Sequence, residues 1–179
     1  MRLLSALLIV FVGLGCSNLQ VEKPSAAVKA MSVKDVNNSG FTMNFDVEVS
    51  NPNTVALPFT NADYKLALGG VQVVDGKAKP DGAIPAKGSK SVAVPVTLSY
   101  ENLLAAEKAI VKSGGNIEYT FDAGLSVNTG ASFFGDVRVP LKYSGTLALK
   151  DILNNPGILL QSPAARKLAQ ELLGSVLGK

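Results

Sequence analysis

The chain has no histidine, no tryptophan and a single cysteine, Cys16. Histidine-based acid–base schemes, Cys/His metal sites and disulfide frameworks are therefore excluded within one chain. Charge is scarce as well: 17% of residues are charged, with 17 Lys+Arg against 14 Asp+Glu for a formal +3. Arg2 lies in a segment expected to be removed, which leaves 16 basic against 14 acidic residues, or +2. With its basic residues scattered singly, the domain lacks the footprint of nucleic-acid binding. Glycine-rich phosphate loops are absent too. No catalytic residue, metal site or cofactor is expected. What the chain does hold is apolar content, 47% of 179 residues. That is ample for one cored domain with a short anchor or tail.

The first sixteen residues read as an address. Arg2 supplies a small positive region, and residues 3–15 form an apolar or small run of 13 residues. A spanning helix needs about 20 apolar residues, so this run fits a signal-peptide core instead. It ends at Gly13-Leu14-Gly15-Cys16. A cysteine straight after such a run resembles a bacterial lipoprotein signal, in which the thiol is lipidated and the chain is cut ahead of it. Gly13 stands where such signals usually carry Leu. The plain alternative is an ordinary secretory peptide with an incidental cysteine. An unpaired cysteine in an exported protein is a liability unless something uses it. Each buried acyl CH₂ contributes roughly 0.8 kcal/mol, and two or more chains hold a protein stably on a membrane. The resemblance implies a signal peptide at 1–15, then a lipidated N-terminus and tether at 16–26. Ser17 and Asn18 follow the cysteine, with no Asp. By resemblance to Gram-negative sorting signals, this implies the outer membrane, facing the periplasm.

Residues 27–150 read as a run of strands. The clearest is 41–50, Phe-Thr-Met-Asn-Phe-Asp-Val-Glu-Val-Ser, with apolar residues at every odd position. That period of two places one face on a core and the other in water. A weaker candidate, 27–36, precedes it across an Asn37-Asn38-Ser39-Gly40 turn whose residues tolerate positive φ or bond their own backbone. Tyr64 to Leu68 and Val71 to Asp75 flank Gly69-Gly70, the signal of a tight hairpin. Residues 92–98 alternate again, but Pro95 has no N–H, so this strand is expected at an edge or bulge. Residues 117–127 and 137–149 alternate strongly, the latter as one strand or two joined at Gly145. About seven short strands between Gly/Pro/Asn turns predict an all-β, immunoglobulin-like antiparallel β-sandwich.

Two stretches break the alternation. Residues 100–112 carry apolar positions at helical spacing and stop at Gly114-Gly115, which predicts one short helix on the sandwich. Residues 151–179 form a C-terminal helical segment, opened by Ser162 as N-cap and Pro163 in the first turn. Ala165, Leu168, Leu172 and Val176 share one stripe of this amphipathic helix, opposite Arg166, Lys167, Gln170 and Glu171. The stripe is expected to pack on the sandwich or on Ile158-Leu159-Leu160. The sharper reading, a surface for a partner or the bilayer interface, has few basic residues to support it.

The order Val49-Ser50-Asn51-Pro52-Asn53, Leu57-Pro58, Gly69-Gly70, Gly76, Ile84-Pro85-Ala86-Lys87-Gly88 and Val94-Pro95-Val96 carries a resemblance. Over about residues 31–139 the chain resembles the type 2 late-embryogenesis-abundant family, also known as the water-stress and hypersensitive-response (WHy) domain. The resemblance implies a fibronectin-III-like sandwich with a short helix, links to desiccation and other stress tolerance, and frequent export as bacterial lipoproteins. It brings no catalytic residues. Asn51, Pro52, Asn53, Pro85, Gly88 and Pro95 are the motif positions, for which strand ending and Asx turns are a sufficient structural role.

Other candidate groups have plain explanations. Asp46 and Glu48 share a strand face, as an exposed polar face would have it, and no third acid or histidine converges on them. Asn37-Asn38-Ser39 matches a glycosylation sequon, which Cys16 places in the wrong kind of cell. The expected function is an envelope-anchored, non-enzymatic module that protects or binds macromolecules under desiccation or osmotic stress. The alternative is a structural or adaptor lipoprotein of an envelope complex. The expected partners are the bilayer, through acylated Cys16, and protein clients or an envelope partner. Many stress protectants are disordered, with low hydrophobicity and high charge. This composition is the reverse, so any protection must come from an ordered surface.

Overall fold

The computed structural model describes residues 22–130, 135–150 and 162–177. Residues 1–15, expected as a signal segment, Cys16, the first part of the expected tether and Ile158-Leu159-Leu160 lie outside these described residues. Eight strands appear in them: β1 (Ser25–Lys34), β2 (Gly40–Ser50), β3 (Leu57–Leu68), β4 (Val71–Ala78), β5 (Ala83–Ile84), β6 (Ser89–Ser99), β7 (Asn116–Asn128) and β8 (Asp136–Ala148). Three helices join them: α1 (Tyr100–Ala105), α2 (Glu107–Lys112) and α3 (Pro163–Leu177). All strand pairings are antiparallel. One sheet runs β1-β2-β6; the other runs β4-β3-β7-β8, with β5 added to β3. The result is an all-β sandwich with short helices.

The alternating residues of β2 build the centre. Phe41, Met43, Phe45, Val47 and Val49 are each at most 1% exposed. Val94, Val96 and Leu98 of β6 extend this layer, and Ile117, Phe121, Leu125 and Val127 of β7 face it from the other sheet. Phe45 and Phe121 stack across the two sheets with centroids 3.9 Å apart and planes within 4°. Tyr119 and Tyr143 meet Phe45 edge-on at 6.0 and 6.4 Å. Aromatic contacts of this kind add about 0.5–1.5 kcal/mol to the burial itself.

Several details refine the sequence reading. β3 begins at Leu57, well before Tyr64, because a bulge between Phe59 and Asn61 shifts its register. Buried positions therefore change parity from Leu57 and Phe59 to Ala62, Leu66 and Leu68, which hides one strand as two fragments. A similar irregularity between Val28 and Ala30 explains the broken alternation around Lys29. β1 starts at Ser25, inside the stretch expected as tether. β6 ends its sheet, which gives Pro95 the edge position that a missing N–H requires. Leu68 pairs with Val71, so Gly69-Gly70 is a two-residue loop; both glycines have positive φ, 53° and 82°. β8 runs unbroken through Gly145.

The single helix expected over 100–112 is two. Ala106, at φ −100° and ψ 12°, separates α1 from α2, and its N–H reaches the Leu103 carbonyl in a tightened turn. No glycine or proline marks this break. It lets Leu103, Ala106 and Ile110 all turn into the core. α3 starts as expected, the Ala165 N–H donating to Ser162 Oγ at 3.2 Å. Ala165 and Leu168 are buried, and α3 packs on α1 and α2 rather than directly on a sheet face.

Strand direction gives the sandwich two distinct ends. β1 runs from Ser25, opposite Ser50, to Lys34, opposite Thr42. The Asn37–Gly40 turn, capped by Asn37 Oδ1 accepting from Ser39 N–H at 2.8 Å, therefore lies far from Asn51. Tyr100 N–H donates to the Ser39 carbonyl, so the helices sit at this same far end. Leu57 pairs with Ile84, and Phe59 with Val127, which puts the start of β3 and the β7–β8 connection at the Asn51 end.

Candidate functional site

Five of the six motif residues meet at the Asn51 end. β2 must stop there, because Pro52 has no N–H to continue the ladder. Asn51, 1% exposed, turns its side chain inward and uses both ends of it. Its Oδ1 accepts from the Asn53 backbone N–H at 2.9 Å and from Asn53 Nδ2 at 3.0 Å. Its Nδ2 donates to the Val55 carbonyl at 2.7 Å and the Pro85 carbonyl at 3.1 Å. One amide thereby joins the loop after β2 to the loop after β5. For the buried Asn53 N–H, the loss of this acceptor would cost about 1–3 kcal/mol.

The second loop is shaped to match. Gly88 N–H closes a turn on the Pro85 carbonyl at 3.3 Å, and Lys87 adopts φ +50° within it. The Lys87 N–H then donates to the Asn53 carbonyl, and the Asn51 N–H to the Gly88 carbonyl, each at 2.8 Å. A Cβ on Gly88 would stand 2.9 Å from the Pro85 ring, so this close packing excludes a side chain. Pro95 does not join the group: it lies within β6, opposite Asn44.

Asn53, 8% exposed, completes the cluster by reaching outside it. Its Oδ1 accepts from the Glu22 N–H and its Nδ2 donates to the Glu22 carbonyl, both at 2.8 Å. The side-chain amide pairs with Glu22 as a neighbouring strand would. Next to this contact, Pro24 is buried. Sequence reasoning placed both residues in a plain tether, since a backbone contact leaves no side-chain pattern to read. Chemically, the cluster is a closed hydrogen-bond network that fixes two loops and the incoming chain.

The acidic pair has surface partners. Asp46 accepts from Asn44 Nδ2 at 2.9 Å, and Glu48 pairs with Lys29 at 3.1 Å. Arg138 makes a two-pronged pair with Asp63 across β7, its Nε 3.0 Å from one carboxylate oxygen. This hydrogen bond holds the Asp63 carboxyl below its usual range and raises Arg138. Burial, reinforced by the neighbouring Tyr143, pushes the Tyr119 hydroxyl up to about 12. Burial also raises Tyr100, at the helical end. A surface cleft of about 360 Å³ lies beside Tyr100, between Ser99 and Ser162. The serine hydroxyls act there as caps for α1 and α3. Among the described residues, no group of three or more Cys, Asp or Glu could hold a metal ion. Among the same residues, no helix is long and apolar enough to cross a membrane.

The model of the late embryogenesis abundant protein family LEA_2 matches residues 46–145, from within β2 to within β8, and takes in every motif position. The chain belongs to the LEA_2 family. Among the relatives of this LEA_2 protein is the desiccation protectant protein Lea14 homolog of Glycine max. The two are 28% identical over 127 residues, 71% of this chain and 82% of that one. Late embryogenesis abundant protein Lea14-A of Gossypium hirsutum is 26% identical over 129 residues, covering 72% and 83%. A solution structure of an Arabidopsis thaliana protein shares the fold at a TM-score of 0.59 and 23% identity, covering 72% of this chain and 83% of that one. A crystal structure from Archaeoglobus fulgidus does so at 0.56 and 13%, covering 71% and 95%. The LEA_2 membership is that of an ordered β-sandwich.

Proposed function

We propose that this LEA_2 protein is a non-enzymatic lipoprotein of the cell envelope that protects or binds macromolecules during desiccation or osmotic stress. The observation that carries the stress role is the family match over residues 46–145, together with relatives named as desiccation protectants. The chemistry agrees: the Asn51 and Asn53 side chains are consumed in internal hydrogen bonds, and the acidic pair is engaged at the surface. Protection then rests on an ordered surface that resists water loss. Cys16, lipidated after removal of residues 1–15, supplies the anchor, and the absence of Asp after it directs the protein to the outer membrane, facing the periplasm.

Two measurements test this. Mass spectrometry of the N-terminal peptide from membranes is expected to find Cys16 first and acylated; an unmodified Cys16 in soluble protein removes the anchor. A deletion strain is expected to survive drying and osmotic shock worse than wild type. Unchanged survival, with no protection of a test enzyme dried alongside the protein, removes the stress role. The adaptor alternative draws on Leu173, 61% exposed on α3. It calls for a stoichiometric crosslinked partner that is lost when residues 162–179 are deleted.

A further inference from the structure

We infer that the Asn51-Pro52-Asn53 end of the sandwich faces the lipid surface, and that Asn53 is the clamp that sets this orientation. The inference rests on the reading of Cys16 as the acylated anchor and goes beyond it, because an anchor alone leaves a domain free to tumble.

The clamp is what removes that freedom. Glu22 is bound on both its backbone groups by the buried Asn53 amide, and Pro24 is buried beside it. Glu22 is therefore held at one defined point of the folded body. Only six positions separate Glu22 from Cys16. At about 3.3–3.6 Å per residue they reach at most roughly 20 Å. The opposite end, with the Asn37–Gly40 turn and the three helices, is farther away by the length of β1. Ten residues of strand at about 3.3 Å each make that roughly 30 Å. That reach is shorter than the sandwich is long, so the body cannot stand upright on its helical end.

The surface presented at the clamped end suits a peripheral lipid contact. Val55, 48% exposed, stands in the motif loop among exposed Thr54 and Ala56. Lys23 and Lys87 are exposed on the two segments that Asn53 joins, able to meet anionic headgroups. One valine and two lysines are too little to bind a membrane without the acyl chains. They favour contact once the anchor has brought the end close. The cleft beside Tyr100 and the exposed face of α3 are then held outward, away from the lipid.

The test uses the full-length lipoprotein in vesicles of phosphatidylethanolamine and phosphatidylglycerol carrying an acceptor dye in the lipid. Acylation blocks Cys16, so Thr54→Cys and Lys108→Cys each offer one thiol for a donor dye, at the clamped and the helical end. Energy transfer is expected to be several-fold stronger from position 54. Glu22→Pro removes the clamped N–H without touching either sheet, and it is expected to cut that difference at least twofold. Asn53→Ala is expected to do the same, while Glu22→Ala, which keeps the backbone groups, leaves it unchanged. Equal transfer from the two ends, or a difference indifferent to both Glu22→Pro and Asn53→Ala, overturns the inference with the anchor intact. An unacylated Cys16 in the same sample's mass spectrum is a failure of the anchor reading, and the inference falls with it.

Discussion

Phe45 of β2 and Phe121 of β7 lie face to face across the sandwich, 3.9 Å between centroids and nearly parallel. Each sits on a different sheet and each is fully buried, so this pair is where the two layers are held in register. The surrounding Tyr64, Tyr119 and Tyr143 rings close the gaps around it at 6.0–6.4 Å.

Truncating this pair is expected to be among the most damaging single changes. Phe45→Ala removes a stacked ring and leaves a cavity that two rigid sheets cannot close, a loss of about 3–5 kcal/mol. Urea denaturation of the variant and the parent measures it. A loss below 1 kcal/mol would show that the sheets are not locked by this contact.

The two motif asparagines are expected to separate in effect. Asn51→Ala leaves the buried Asn53 N–H without its acceptor and unties the Val55 and Pro85 carbonyls, with a cost of about 1–3 kcal/mol to the global unfolding free energy. Asn53→Ala chiefly frees Glu22, so it costs less but speeds proteolysis ahead of Ser25. Limited digestion with mapping of the new N-terminus reads this. Equal protection of both variants would contradict the division of roles.

Alkali is expected to destabilise the fold through Tyr119. Its folded value is raised to about 12, chiefly by burial and then by Tyr143, from about 10 in the unfolded chain. Stability is whole below pH 10 and lost as pH rises from about 10 to 12, where only the unfolded chain sheds this proton. The loss approaches about 3 kcal/mol. Tyr119→Phe is expected to flatten the Tm profile over that range; an unchanged profile would assign the alkaline loss elsewhere.

Acid is expected to act weakly through Asp63. Its folded value is lowered by the hydrogen bond from Arg138. The contribution is therefore present above the ordinary carboxylate pKa of about 4 and lost as pH falls through the lowered value. Both partners are more than a third exposed, so the pair contributes at most about 1 kcal/mol after screening. Gly124→Ala should mimic its loss, since a Cβ there would overlap the Arg138 guanidinium. Melting at pH 3 and pH 7 with Asp63→Asn checks the sign. A larger loss for this variant at pH 3 than at pH 7 would reverse it.

Much of this architecture is legible in the chain, and particular residues show where legibility stops. The strand 41–50, the Gly69-Gly70 loop, the edge place of Pro95 and the Ser162 cap follow from local rules: alternation, positive φ, a missing N–H and a side-chain acceptor. Thr60 and Lys29 defeat the same rules, because one extra residue at a bulge flips the parity on which alternation depends. Ala106 is harder still. Helix propensity favours alanine, and the break is imposed by the core beneath Leu103, Ala106 and Ile110.

By itself the sequence determined which faces are apolar, where the chain turns and that no histidine or disulfide chemistry is available, since these depend on residue type and spacing along one segment. Only the tertiary structure decided that Asn51 bridges two loops 34 residues apart and that Asn53 grips Glu22 from 31 residues away. It alone also decided that Phe45 meets Phe121. Such contacts form between backbone groups and side chains brought together by sheet pairing, and nothing in either partner's local pattern records the other.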